Sequence, residues 1–166
     1  MRAIRGLFII FLLAIGYVLL DFSVDLRPPN VYDSYRFNIG DLSEDQPIWL
    51  KQDNLTILVI RRSQKTLNAL ALTDGLQDPE SRQSHQPGFA TNVLRARDKH
   101  YFVSYGLGTD LGCPLKVVNA NQLGEICGPA RYDYSGRAII GKNQFQNLSI
   151  PDYNFSHDFK TLTIRP

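Results

Sequence analysis

The sequence predicts an all-β domain behind a single N-terminal membrane helix. Three observations carry this. Residues Gly6–Leu20 form an uncharged apolar block that follows two arginines. Short runs rich in Val, Ile, Thr and aromatic residues then recur, separated by turn residues, a β signature. No heptad pattern, internal repeat or low-complexity tract competes with it. The chain has 166 residues, 43% hydrophobic and 20% charged, which suits one ordinary domain plus a short extra segment. A domain of that size buries a core without metal or many disulfides. The net charge of +2 and the absence of a basic run with interleaved aromatics argue against a nucleic-acid partner.

Residues 1–24 are read as the membrane anchor. The 15 residues from Gly6 to Leu20 span about 22 Å as a helix, short of the usual ~20 apolar residues. Snorkelling of Arg5 extends the block inward, and Phe22 and Val24 extend it outward. A cleaved signal peptide is the rival, with Ala14-Ile15-Gly16 as a small-x-small site. That cut would fall inside the apolar block, so an uncleaved anchor is preferred. Arg2 and Arg5 keep the N-terminus cytoplasmic. The folded part then lies in an extracytoplasmic, oxidising compartment such as a periplasm, where a disulfide persists.

Residues 25–35 read as an extended linker because of Pro28-Pro29, and 36–166 as the β domain. Phe37 and Ile39 alternate, Ile48 and Leu50 follow, and Leu55–Ile60 is a continuous apolar run, together a meander of short strands. Residues 63–78 are helical in composition, with Leu67, Leu70 and Leu72 as an amphipathic face. Residues 78–99, with Pro79 and Pro87, read as an irregular surface excursion. Residues 100–108 read as a strand, and Arg137–Ile140 and Thr161–Ile164 as two more.

The two cysteines, Cys113 and Cys127, lie in a segment dense in Gly and Pro that contains no histidine. The stretch LGCPL (111–115), Cys127, RYDYSGR (131–137) and NLSIPDYNF (147–155) resembles the Rieske iron–sulfur proteins, above all the anchored subunit of cytochrome bc1-type quinol-oxidising complexes. The resemblance covers roughly residues 36–166, and the anchor in kind. It implies an antiparallel β-sandwich with a cluster-binding-type subdomain, here 106–146. In that family two loops each supply one Cys and one His to a [2Fe–2S] cluster. The first loop, Cys-x-His-Leu-Gly-Cys, is matched by Gly108-Thr109-Asp110-Leu111-Gly112-Cys113. The second, Cys-Pro-Cys-His-Gly-Ser-x-Tyr-Asp, is matched by Glu125 through Asp133.

The four ligand positions therefore hold Gly108, Asp110, Glu125 and Gly128. Glycine ligates nothing through a side chain, and carboxylates suit cluster iron poorly. The expectation is no catalytic residue, no metal and no cofactor. The other family pair, implied to be a disulfide, survives as Cys113 and Cys127, with Leu111, Gly112, Pro114, Tyr132, Asp133 and Gly136 also kept. Ala130 replaces a serine of the family, and the shielding proline loop appears as GKNQFQNL, without proline.

Bland readings stand beside the sharper ones. Asp110 and Glu125 read as solvated loop charges, with a Ca²⁺ site or a zinc site using reduced Cys113 and Cys127 as lesser alternatives. His85, His100 and His157 have no partner at ligand spacing, and Tyr132, Tyr134 and Phe145 read as packing residues. Asn54, Asn147 and Asn154 head glycosylation triplets. The function implied is a non-catalytic accessory subunit of a cytochrome b- and c-containing respiratory membrane complex. The alternatives are a free-standing envelope binding or assembly module, and an electron-transfer protein with unusual ligation. Co-purification with haem proteins separates the first two, and colour separates the third from both.

Overall fold

The computed structural model describes residues 2–25, 34–141 and 144–165. Most of the expected linker lies outside them. The chain divides into two compact units, Met1–Asp33 and Ser34–Pro166.

In the first unit, α1 (Arg2–Asp25) is one uninterrupted helix. It contains no proline, and its Leu, Ala and Phe content favours helix. The window Arg5–Phe22 is long and apolar enough to cross a membrane, and none of it is buried within the protein. Apolar side chains on every side of a helix are stable only where the surroundings are apolar too.

The second unit is built from three antiparallel three-stranded sheets. One joins β1 (Tyr35–Asn38), β9 (Thr161–Arg165) and β8 (Asp152–Phe155), bringing the two ends of the unit together. The second is a meander of β2 (Ile48–Gln52), β3 (Leu55–Arg61) and β4 (Tyr101–Tyr105). The third joins β5 (Leu115–Asn119), β6 (Gln122–Glu125) and β7 (Arg131–Asp133). The all-β expectation with one N-terminal helix holds. β3 is central, and Ile57, Leu58, Val59 and Ile60 are all fully buried. That explains its continuous apolar run, since both faces are covered. The same core takes in Phe102, Leu123, Tyr132, Leu148, Tyr153, Leu162 and Ile164, drawn from all three sheets and the loops between them.

The expected helix forms but is shorter: α2 spans Gln64–Ala71. Ser63 caps it, with Oγ accepting from Thr66 N at 3.2 Å, and Asp45 in turn accepts from Ser63 N at 2.9 Å. Its buried face is Thr66, Leu67 and Leu70, whereas Leu72 is 80% exposed beyond the end.

Two expectations are corrected. Residues 78–99 are irregular as expected, with one 3-10 turn at Gly88–Ala90, but the segment is anchored in the core as well as exposed. Ser81, Ala90 and Arg95 are fully buried. Asp78 organises the entry, accepting from the backbone of Arg82 (2.8 Å), Gln83 (3.0 Å) and Ser84 (3.1 Å). Polar residues here satisfy loop backbone, so polarity did not signal exposure. Second, Arg137–Ile140 is not a strand. The chain reverses at Gly136 (φ +65°), and Asp133 Oδ1 accepts from Ser135 N and Arg137 N, both at 2.9 Å. Only isolated bridges at Ala138 and Ile139 follow. Asn147, which heads one of the glycosylation triplets, is fully buried. Its side chain accepts from Ala138 N (2.7 Å) and donates to Asp78 O (2.8 Å) and Ser81 Oγ (3.0 Å). In the folded domain it is closed to glycosylation.

Buried arginines tie the reversal at 133–137 to the rest of the unit. Arg95 donates to Gly136 O (2.9 Å) and Leu148 O (2.7 Å), and Arg62 to Ser135 Oγ (2.8 Å) and Leu94 O (3.0 Å). Burial lowers both guanidinium pKa values to about 10, so both stay charged at neutral pH. Arg137 and Asp133 form a buried ion pair at 2.7 Å.

Candidate functional site

The β5–β6–β7 sheet carries two loops at one end, 107–114 before β5 and 125–130 between β6 and β7. The hairpin between β5 and β6 turns at Asn121 (φ +64°), a residue type that tolerates the left-handed region. The first loop is closed by Gly108 N donating to Cys113 O at 2.9 Å. The second is tied to the first by Ile126 N donating to Pro114 O at 3.0 Å. Cys113 and Cys127 are joined as a disulfide, with Cα atoms 6.2 Å apart. The structure thus holds the expected bridge.

Glu125 ends β6 and is 1% exposed, so it is not the solvated loop charge the sequence suggested. Its side chain crosses into the space between the loops. Oε1 accepts from Asp110 N at 2.9 Å and from Tyr132 Oη at 3.3 Å. Oε2 accepts from Leu111 N at 3.0 Å. Successive backbone N–H groups aimed at one point make an anion-binding concavity, and here the anion is the chain's own carboxylate. A Cβ built on Gly108 would collide with the Oε1, Cγ and Cδ atoms of Glu125. One on Gly128 would lie 3.1 Å from Leu111 Cδ1, and 3.6 Å from both Asp110 Oδ2 and Glu125 Oε2. The positions 108, 110, 125 and 128 therefore surround one small volume, and the Glu125 side chain occupies it.

Tyr132, on β7, is fully buried. Its hydroxyl accepts from Thr109 N at 2.9 Å, and its ring meets Phe145 edge to face at 5.4 Å between centroids. Burial raises the phenol pKa, and the Glu125 carboxylate raises it further, outweighing the Thr109 hydrogen bonds. Thr109 Oγ1 also donates to Gln146 O, binding the first loop to the 144–149 segment. Nothing in the sequence pattern marked Thr109 or Gln146, because a threonine in a loop carries no periodicity.

Asp110 Oδ2 is buried and has no hydrogen-bond partner among the described residues. Sulfur atoms of Cys113 and Cys127 and an oxygen of Glu125 lie within 4.8 Å of one another. Of the other motif residues, Gly112 takes a positive φ (+70°) in the first loop. Gly136 admits no side chain, since a Cβ would meet Phe102 Cζ at 2.5 Å. Leu111, Leu107 and Ile126 point outward, 60%, 47% and 55% exposed. His85 and His157 are exposed, remote from this volume in sequence and element, and His100 Nδ1 lies 3.2 Å from Arg62 O.

The fold has a solved counterpart. The chain is similar in fold to a chain of a hyperthermophilic respiratory Complex III. The superposition gives a TM-score of 0.52 at 15% sequence identity and covers 95% of this chain and 98% of that one. Neither a protein-family model nor a curated protein matches the sequence. At this identity the Complex III likeness is one of fold, and it extends over nearly the full length of both chains.

Proposed function

We propose that this protein is a membrane-anchored, Rieske-like subunit of a respiratory, Complex III-type assembly that contributes structure and contacts rather than electron transfer. The observation that carries the reading is the buried Glu125 carboxylate, which fills the volume bounded by positions 108, 110, 125 and 128 and saturates the inward-facing N–H groups there. The residues present do not fit a [2Fe–2S] cluster. Two of the four positions are glycine, a third is an internal anion, and both sulfurs are spent on each other. Cluster iron takes thiolate and imidazole, which none of the four positions offers.

What supports the assembly part is the fold shared with a Complex III chain over 95% of the length, together with a helix suited to a membrane. The exposed Leu107, Leu111 and Ile126 at the loop end give an apolar contact surface. Fold alone does not fix function, so the test is direct. Protein purified anaerobically from its own membranes is assayed for iron and acid-labile sulfide, and the reduced sample is examined by EPR. The expected result is neither iron nor a Rieske-type signal, with cytochrome b- and c-type proteins co-purifying. Stoichiometric iron with that signal overturns the non-redox reading. Iron-free protein that purifies without haem proteins overturns the assembly reading.

A further inference from the structure

We infer that reduction of the Cys113–Cys127 disulfide converts the loop end into a binding site for a zinc-class divalent cation, with Cys113, Cys127, Glu125 and Asp110 as ligands. Two independent observations carry this. The sulfurs and a Glu125 oxygen already lie within 4.8 Å of one another, with Cys127 Sγ 4.0 Å from Glu125 Oε2. Separately, Asp110 Oδ2 is a buried oxygen with no hydrogen-bond partner among the described residues, a costly state for a carboxylate. It lies beside that trio rather than within it: it and Glu125 Oε2 are each 3.6 Å from where a Gly128 Cβ would be, and a side-chain rotation brings it in as the fourth donor.

The chemistry balances simply. A protein dithiol supplies two electrons and two protons, the S–S bond opens to two thiols, and the donor becomes a disulfide. Cys127 is exposed, so a reductant can reach it. A divalent cation then displaces both thiol protons to solvent. Two thiolates and two carboxylates give a four-donor S₂O₂ set that suits a tetrahedral, borderline-soft ion such as Zn²⁺. Glu125 has room for this role. Among the described residues its Oε2 accepts a backbone bond from Leu111 N alone, at 3.0 Å, which leaves one lone pair. Arg131 borders the site, donating to Gly128 O at 3.3 Å, and offsets part of the surplus negative charge. The cation then bridges the two loops in place of the covalent bond. This inference is independent of the proposed subunit role.

The test uses the full chain in detergent. Oxidised and phosphine-reduced samples are titrated with Zn²⁺, and with Co²⁺ for its thiolate charge-transfer band in the near ultraviolet. One equivalent is expected to bind the reduced protein and none the oxidised protein. The charge-transfer band should vanish in Cys113→Ser/Cys127→Ser. Asp110→Asn removes no hydrogen bond from Oδ2, and an unchanged urea midpoint of the oxidised protein checks that the fold survives. The variant should keep the band and weaken affinity by about tenfold or more, by analogy with ligand-shell losses at other metal sites. Absence of uptake by the reduced protein overturns the inference. So does equal affinity in parent and Asp110→Asn, which would mark an ordinary dithiol chelator, folded or unfolded.

Discussion

Gly108 has no room for a β-carbon, because the Glu125 side chain occupies that space. The two residues are thus one device: the glycine opens a volume and the carboxylate fills it. Glu125→Ala leaves the amides of Asp110 and Leu111 and the hydroxyl of Tyr132 without their acceptor. The expected loss is about 1–3 kcal/mol of unfolding free energy, read from urea denaturation. Gly108→Ala should cost a similar amount by expelling the carboxylate. The double variant should cost clearly less than the two together, since residues sharing one interaction are not additive. Strict additivity would mean that the collision is relieved elsewhere. Acid sensitivity is also set residue by residue. Burial pushes the Asp45 carboxyl upward, but hydrogen bonds from Ser63 and Thr66 more than reverse this and leave it below 3.8. Asp78 likewise ends below 3.8, its burial outweighed by donors from Ser84, Gln83 and Arg82. A folded pKa below the unfolded one stabilises above the unfolded value, and that contribution is lost as pH falls through the folded value. Unfolding midpoints should therefore drop as pH falls from 3.8 downward, and Asp45→Asn and Asp78→Asn should each flatten that limb.

The loop pair at the end of the third sheet is held by one covalent bond, one internal carboxylate and backbone hydrogen bonds. The disulfide closes a loop of 14 residues in sequence separation. In the chain-entropy account such a bond stabilises by about 3 kcal/mol. Cys113→Ser/Cys127→Ser in metal-free buffer should lose roughly that much in denaturant unfolding, while far-UV circular dichroism keeps its β shape. Loss of the β signal would mean that the bond is needed to form the third sheet at all. This element is also where the sequence was hardest to read. β3 was legible because a doubly covered strand shows as an unbroken apolar run, Ile57–Ile60. β5 and β6 were not, because in Leu115–Asn119 only Leu115 is buried and Lys116 to Asn119 face solvent. β6 includes Gly124 and Glu125, residue types poor in strands. The motif frame located the two loops and the disulfide, but it said nothing of the Glu125 rotamer. Whether a carboxylate points to water or into a nest of amides is decided by three dimensions, and no spacing encodes it. The same holds for 78–99, where Arg95 turns inward to donate to Leu148 O and the Asp78 carbonyl accepts from the buried Asn147.

At the scale of the chain, two units with opposite solvent demands are joined covalently. Ser34–Pro166 has its own core and closes on itself, since β1 pairs with β9 from Tyr35↔Ile164 to Asn38↔Thr161. Met1–Asp33 contributes an apolar helix with Leu7, Ile10, Leu13, Tyr17 and Leu20 all more than half exposed. Eighteen residues from Arg5 to Phe22 rise about 27 Å at the helical pitch, close to the ~30 Å hydrocarbon core of a bilayer. Transfer of that surface from water to lipid is favourable in proportion to area, and it owes nothing to the β unit. Two outcomes follow together. The full chain should sediment with membranes and resist alkaline carbonate, yielding only to detergent. A chain starting at Ser34 should be soluble, monomeric and cooperatively folded, with the same disulfide and the same urea midpoint as the β unit of the full chain in detergent. Release of the full chain by carbonate would show that α1 does not span a bilayer. A shorter chain with a clearly lower midpoint would show that the first unit stabilises the second, contrary to the self-contained pairing of β1 with β9.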